Sequence, residues 1–256
     1  MTLELQRWKH KFEIKPGVWV FAPSPEAVKN GSKILNAVRK HWNPPLYFFH
    51  LRTGGHLKAT RLHLKNTYFA VVDIKQFFLS TSRSRVTRCL NEYFSYEKAR
   101  EISRYSTVKN PSSGLHKYVL PFGFVQSPIL ATLCLDKSYL GSLLRKLSRK
   151  GTMKLSIYMD DVIISSNDFQ TLQTTYQEIL QAMEKSGYKL NLKKSQPPSN
   201  KIVVFNISLR HGNMSVTAER LSEFLIDFYA SNDEQHKLGI ANYVRSVNLE
   251  QAKLFR

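Results

Sequence analysis

Three aspartates stand where carboxylates are costly. Asp73 lies in AVVDI, and Asp160 and Asp161 are adjacent in IYMDDVII, in or between runs of apolar residues. A carboxylate taken out of water costs several kcal/mol or gives up its charge, so each needs compensation. Aspartate is the minority acid here, 7 of the 19 acidic residues, which makes three such placements a pattern. Divalent cations would supply the compensation. If the strand ending at Asp73 lies beside a hairpin carrying Asp160 and Asp161, the carboxylates meet at one sheet edge and offer the hard oxygen ligands that Mg²⁺ prefers. Two such ions about 3.5–4 Å apart suit in-line attack of a 3′-hydroxyl on an α-phosphate. Taken singly, an Asp-Asp pair in a hairpin is more often turn chemistry, and an Asp at a strand end more often a cap. The combination, with a Pro-Gly-Ser-Pro turn into a helix between them, is much rarer.

The elements that must position these residues follow from periodicity. Residues 67–74, TYFAVVDI, are aromatic and β-branched and predict a buried strand. A basic helical region follows over 83–105, then a turn-rich loop over 106–117 and a long helix of period 3.6 over 127–149. Residues 154–158 and 162–165 predict two short strands separated by Met159-Asp160-Asp161, a hairpin spacing. Asn167 or Asp168 caps a helix to about 186, which Gly187 closes. YKLNLKKS and KIVVFNISL predict strands around the turn QPPSN, and 215–217 opens a helical C-terminal section with a second helix over 233–246. Before all this, residues 1–66 are basic and broken by prolines, with helical patterns around 2–10 and 26–41. The order is that of an α+β fold, an antiparallel sheet of ferredoxin-like type with helices on one face.

With 256 residues and 42% in the hydrophobic set, the chain can bury a core as one domain or two small ones. Lys and Arg number 38 against 19 acids, a formal +19, so a polyanion is the expected partner, nucleic acid before an anionic membrane. The start has no apolar signal-peptide core, and no uncharged apolar stretch reaches membrane-spanning length, so a cytoplasmic protein with no membrane partner is expected. Cys89 and Cys134 are far from any CxxC pairing and read as two buried reduced thiols. Cations recur at Lys9/Lys11, over 58–65, at Arg83/Arg85/Arg88, over 145–154 and over 193–201, on folded elements rather than a tail. A groove so lined would hold a nucleic-acid duplex through its phosphates. The run RKLSRKGTMK is explained by a solvated helix end alone.

At the level of motifs the chain resembles a reverse transcriptase from about residue 50 to 250. FAVVDIKQFFLS is similar to the family's motif A, LPFGFVQSPILA to motif B, IYMDDVIIS to motif C, GYKLNLKKS to motif D and VVFNISL to the primer grip. Tyr-Met-Asp-Asp is the most specific. The short length and the FF after motif A resemble the bacterial branch of retron, group II intron, and abortive-infection or defence-associated enzymes, and PFGFVQSP with FHLRTGGHL resembles the defence-associated groups more than the retrons. The resemblance implies a right-hand polymerase fold: fingers over 1–66, a ferredoxin-like palm over 67–210 with a fingers insertion around 83–118, and a helical thumb over 211–256.

Carried over by position, the resemblance implies that Asp73 and Asp160 bind two Mg²⁺, with Mn²⁺ admissible, that the Ile74 carbonyl is a further ligand, and that Asp161 completes the cluster. Phe78 falls where a bulky ring collides with a 2′-hydroxyl and selects deoxynucleotides. Gly123, Ser127 and Pro128 match the turn that approaches template and nucleotide, with Gln126 in the same segment. Phe124 is a stacking surface for the template base or a core ring. Tyr158 and Met159 would sit against the primer end, and Lys194 on the lysine that protonates or neutralises the leaving pyrophosphate. The family's triphosphate Arg has no match beside Trp19 and Val20, which leaves Lys58, Arg61 or Lys65. Asn206 stands where many relatives place Gly, Phe122 where retrons place Gln, and His56 reads as a structural histidine sooner than a phosphate contact. The implied activity is RNA-directed DNA synthesis from dNTPs on an RNA template, in antiphage defence, with a structured non-coding RNA, a partner protein or a further copy of the chain as partners. Two rivals stand beside it: a template-independent or protein-primed DNA polymerase, and a catalytically silent palm-fold RNA-binding protein.

Overall fold

The computed structural model describes residues 7–112 and 114–255. Strands β1 (Trp8–Lys15) and β2 (Val18–Pro23) form an antiparallel hairpin around Pro16-Gly17, with Gly17 at φ 78°. The helix expected around 2–10 is thus a strand where it is described, and residues 2–6 lie outside the described residues. Pairing with β2 and the edge contact of Trp8 on Phe21, 5.2 Å between centroids, override the weak helical period. Helix α1 (Pro25–His41) starts at Ser24, whose hydroxyl accepts from the Ala27 N–H. A single 3₁₀ turn (Phe49–Leu51) and α2 (Gly55–Arg61) lead to β3 (Tyr68–Asp73).

The basic region is two helices, α3 (Arg83–Leu90) and α4 (Tyr96–Ser106), and the loop after it pairs as short β4 (Val108–Lys109) and β5 (Tyr118–Val119). The single helix expected over 127–149 is also two, α5 (Ser127–Asp136) and α6 (Tyr139–Lys150). The corner between them needs Gly141, because a Cβ there would lie 2.2 Å from the Asp136 carbonyl oxygen. Hairpin β6 (Lys154–Tyr158) and β7 (Asp161–Ser166) precedes α7 (Phe169–Lys185), which Asp168 caps.

Two strand expectations move. YKLNLKKS is a looped strap that runs beside the end of β3 and makes only an isolated bridge there, Ile74 to Leu190, in place of a strand ladder. The strand is instead β8 (Gln196–Ser199), within the residues expected to turn, and its Pro197 and Pro198 fit because β8 is an edge. KIVVFNISL splits into β9 (Lys201–Val204) and β10 (Ile207–Arg210) about Phe205 and Asn206, both left-handed at φ 55° and 58°. A two-residue hairpin turn demands that conformation, and asparagine tolerates it, so Asn206 keeps the turn without glycine. Strand β11 (Asn213–Val216) and helices α8 (Ala218–Ala230), α9 (Glu234–Val247) and α10 (Leu249–Ala252) complete the chain.

The main sheet runs β6-β7-β3-β8, antiparallel throughout, the expected ferredoxin-like order. Ala70, Val72 and Ile164 pack with α5, α6 and α7 on one face. On the other, Phe69, Val71 and Ile163 pack on the β9–β11 sheet and α9. Covering both faces leaves the sheet's ends as its accessible backbone, and Asp73 stands at one of them. No helix among the described residues is long and apolar enough to cross a membrane.

Candidate active site

Strand register brings the carboxylates together. Asp73, the last residue of β3, lies directly opposite Asp161, the first of β7, so both side chains share a face. Asp160 sits in the turn between β6 and β7, and its carbonyl accepts from the Ile74 N–H at 2.9 Å. The cost of this arrangement is legible in the acids themselves. Burial, then Asp160, then Asp73 push the Asp161 carboxyl up to about 7, and burial followed by Asp73 raises Asp160.

Asp136 shows what a buried structural carboxylate looks like in the same molecule. It is 2% exposed, accepts from Trp42 Nε1 at 3.1 Å and pairs with Arg145 at 2.8 Å. Asp73 is 1% exposed, and in place of a tryptophan and an arginine it has the Lys194 ammonium 3.1 Å from its Oδ2 and the Asp161 side chain beside it. Two lysines, Lys194 and the Lys15 of β1 whose charge reaches Asp160, stand beside three carboxylates, which leaves the edge short of positive charge. The donor set therefore fits a divalent cation held by Asp73, Asp160 and Asp161. Among the described residues no three side chains are already drawn into metal-ligand spacing, so this is an open acidic edge and not a closed cage.

Lys194 reaches the edge because the 187–195 strap is tied to β3. The Asn191 N–H donates to the Asp73 carbonyl at 3.0 Å, the Asp73 N–H to Ser195 Oγ at 3.0 Å, and the Lys75 N–H to the Lys189 carbonyl at 2.8 Å. Burial pulls the Lys194 ammonium down, but Asp73 with Asp160 and Asp161 outweighs it, so the group is held charged.

Of the motif B residues, Phe124, Gln126 and Ser127 are buried. Gly123 at φ 101° has the Phe21 carbonyl where a Cβ would be, 2.3 Å away, and the Phe21 N–H donates to the Phe122 carbonyl. Its missing side chain thus serves contact with β2, whereas the sequence suggests approach to template. Phe124 is a core ring, 3% exposed, in a cluster with Phe21 and Val108. Gln126 is buried, with its amide on Ser106 Oγ at 3.3 Å, and buried Ser127 with Pro128 opens α5. Phe78 is 6% exposed and meets Phe122 edge-on at 4.9 Å.

Tyr158 and Met159 form the turn's outer part. The Tyr158 ring packs on His56, His50 and Phe205 at 5.9, 5.9 and 5.3 Å, and His56 Nε2 lies 3.3 Å from the Tyr243 hydroxyl on α9. His56 is thus a structural histidine joining the turn to the C-terminal helices. Arg61 donates to the Ser246 carbonyl there. The buried Cys89 and Cys134, free and separate in sequence, meet as hydrogen-bonding neighbours.

Two residues escaped sequence reasoning. Lys15, at the end of β1, is close enough to Asp160 to lower its pKa, a cation from the hairpin where none was expected. His50 is the second. The Met159 N–H donates to His50 Nδ1 at 2.9 Å, so Nε2 carries the proton and donates to Thr132 Oγ1 at 2.7 Å. Thr132 in turn donates to the Pro128 carbonyl at 2.8 Å. Burial holds this imidazole down to about 4, so it is neutral, and the relay ties the left-handed Met159, φ 60°, to α5. The only sequence signal is an imidazole after the apolar run LYFF, which the Ile157 N–H binds through the Tyr47 carbonyl at 2.7 Å.

The Gag-Pol polyprotein of Walleye dermal sarcoma virus is 36% identical over 91 residues, 34% of this chain and 5% of that polyprotein. The solved foamy viral protease-reverse transcriptase, bound to double-stranded DNA, superposes with a TM-score of 0.51 at 18% identity over 92% of this chain and 35% of that one. The chain thus spans a small part of the length of either relative, and the second shows a shared polymerase fold. Residues 27–218 match the profile described as reverse transcriptase (RNA-dependent DNA polymerase), and the chain belongs to that family.

Proposed function

We propose that the protein is an RNA-directed DNA polymerase that extends a primer 3′-end with dNTPs on an RNA template, using two Mg²⁺ at Asp73, Asp160 and Asp161. The observation that carries this is the register pairing of Asp73 with Asp161 beside an Asp160 turn, at an edge short of positive charge. Bound there, the ions would activate the attacking hydroxyl and stabilise charge on the phosphate. The chain's own groups do the rest. Lys194, held charged beside Asp73, is placed to neutralise or protonate the leaving pyrophosphate. Phe78, backed by Phe122, forms the wall that a 2′-hydroxyl would strike. Tyr158 and Met159 support the primer end, and Lys15 joins Lys58 and Lys65 as a candidate for the triphosphate.

In this reading residues 1–66 act as fingers, 67–210 as palm with an insertion over 83–118, and 211–256 as thumb. The fold is read as the bacterial branch acting in antiphage defence on the FF after motif A and on PFGFVQSP. Extension of a labelled DNA primer on an RNA template, with Mg²⁺ and dNTPs, tests the activity. Asp160→Asn should abolish incorporation while the melting temperature stays within a few degrees. Synthesis retained by that variant would refute the metal assignment. Product formed only without added template would point to template-independent or protein-primed synthesis, and covalent DNA on the protein would separate those two.

A further inference from the structure

Helices α3 and α4 pack against one another and leave between them a cleft of about 540 Å³ that no part of the catalytic reading uses. Arg88 on α3 and Arg100 and Arg104 on α4 line it, with Arg83 at one end. Among the described residues no aspartate or glutamate lines it. Arg83 is fixed, its Nε donating to Thr107 Oγ1 at 2.7 Å and its guanidinium lying 3.7 Å over the Tyr118 ring. Among the described residues Arg88, Arg100 and Arg104 have no carboxylate within ion-pair distance. Glu92 is paired with Lys137 and Glu101 with Lys98, while Glu26, Glu97 and Glu101 line the adjoining cleft that Arg100 and Arg104 also border.

Helical spacing makes this a track. Tyr96, Arg100 and Arg104 recur every four residues and so share one stripe of α4, and Tyr96 is 54% exposed at its start. Like charges gathered without counter-charge lower stability unless an anion satisfies them, and guanidinium forks match phosphate oxygens bidentately. An exposed aromatic in line with the row adds a surface on which an unpaired base stacks.

We propose that this cleft binds single-stranded nucleic acid, its phosphates along Arg88, Arg100 and Arg104 and an unpaired base on Tyr96. A second nucleic-acid site of this kind, away from the carboxylate edge, would let the protein hold a strand independently of the primer end it extends. The inference does not rest on the catalytic reading. Asp73→Asn should leave strand binding intact even where it removes synthesis, so the two readings fail separately.

The test is fluorescence anisotropy of the full chain with labelled oligouridylate, the matching oligothymidylate and a short DNA duplex across a salt series. Arg88→Glu/Arg100→Glu/Arg104→Glu should raise the Kd for the single strands about tenfold or more and reduce the salt slope by roughly two to three. Tyr96→Ala should weaken the single strands about fivefold or more and leave the duplex unchanged. Tighter binding of the RNA arm would assign the strand as RNA, and of the DNA arm as DNA. A control reversal at the solvated end of α6, Arg149→Glu/Lys150→Glu, should leave binding as in the parent. If the triple variant melts more than a few degrees early, the neutral Arg88→Gln/Arg100→Gln pair replaces it. Unchanged Kd and salt slope in a folded variant would overturn the proposal. So would an equal loss in the α6 control, or a loss seen only with phosphatidylserine vesicles, which would assign the cleft to a lipid surface.

Discussion

His50 holds the Tyr158–Asp161 turn through one hydrogen bond, and that bond can be removed or mimicked one atom at a time. Its Nδ1 accepts from the Met159 N–H at 2.9 Å, while Nε2 donates to Thr132. In His50→Ala the Met159 N–H loses its acceptor, which costs about 1–3 kcal/mol, and the space left by a largely buried ring adds to that. Thr132 keeps its bond to Pro128, so most of the damage falls on the turn. Met159 is left-handed at φ 60°, a conformation that costs of order 1 kcal/mol and persists only while its surroundings fix it. A turn that relaxes by about 1 Å moves the neighbouring carboxylates out of line, and such misplacement lowers kcat about 100-fold. His50→Asn places an amide oxygen near the Nδ1 position and should restore most of the rate. His50→Gln places its amide near Nε2, restores the Thr132 contact, and should not. Single-nucleotide incorporation with saturating dNTP, read beside thermal melting of all three variants, checks the order. A rate that follows melting temperature alone, or rescue by Gln and not Asn, would refute the positioning argument.

His63 is fully buried between Ser165 Oγ at 2.7 Å and Ser156 Oγ at 2.8 Å, and burial followed by Lys154 takes its imidazole down to about 3. Its folded pKa lies below the unfolded value near 6.5, so its stabilisation is present above that pH and lost as pH falls towards 3; about 2 kcal/mol should go between pH 7 and pH 5, and urea titrations of His63→Gln should show a pH slope shallower by one proton. Gly123→Ala should destabilise the fold by about 2–4 kcal/mol, seen as a lower melting temperature, because the new Cβ meets the Phe21 carbonyl at a backbone angle unsuited to side chains. Phe78→Val should raise ribonucleotide incorporation relative to deoxynucleotide by about tenfold or more in single-turnover assays, and unchanged discrimination with a lower melting temperature would make the ring core packing only.

What the sequence made legible divides along a physical line. Asp73 and the Asp160-Asp161 pair stood out because a carboxylate in an apolar strand is anomalous whatever lies around it, and the β3, β6 and β7 periodicities place them without further knowledge. Where pairing decides, the text misleads. Gln196–Ser199 reads as a turn on its prolines, and becomes a strand because an edge tolerates a missing donor. Residues 8–15 read as helical until β2 supplies a partner. The break between α5 and α6 is unmarked except by Gly141, whose close approach to Asp136 only the folded corner reveals.

The candidate site follows the same division, and explains why its carboxylates were visible and its support was not. Phe124 and Gln126 sit in a matched motif, yet both are interior, one in a ring cluster and one bonded to Ser106. A motif match locates a segment but does not say which of its residues face outward. His50 has the opposite history: nothing around it in the chain is unusual, and its role exists only because the Tyr47 carbonyl binds the Ile157 N–H and lays residues 47–50 along β6 beside the Met159 turn. Groups that bear charge against the hydrophobic grain announce themselves locally. Groups that act by holding another residue in place do so through contacts between distant segments, and for this edge the holding groups are His50, the 187–195 strap that carries Lys194, and the Phe21 carbonyl that only Gly123 admits.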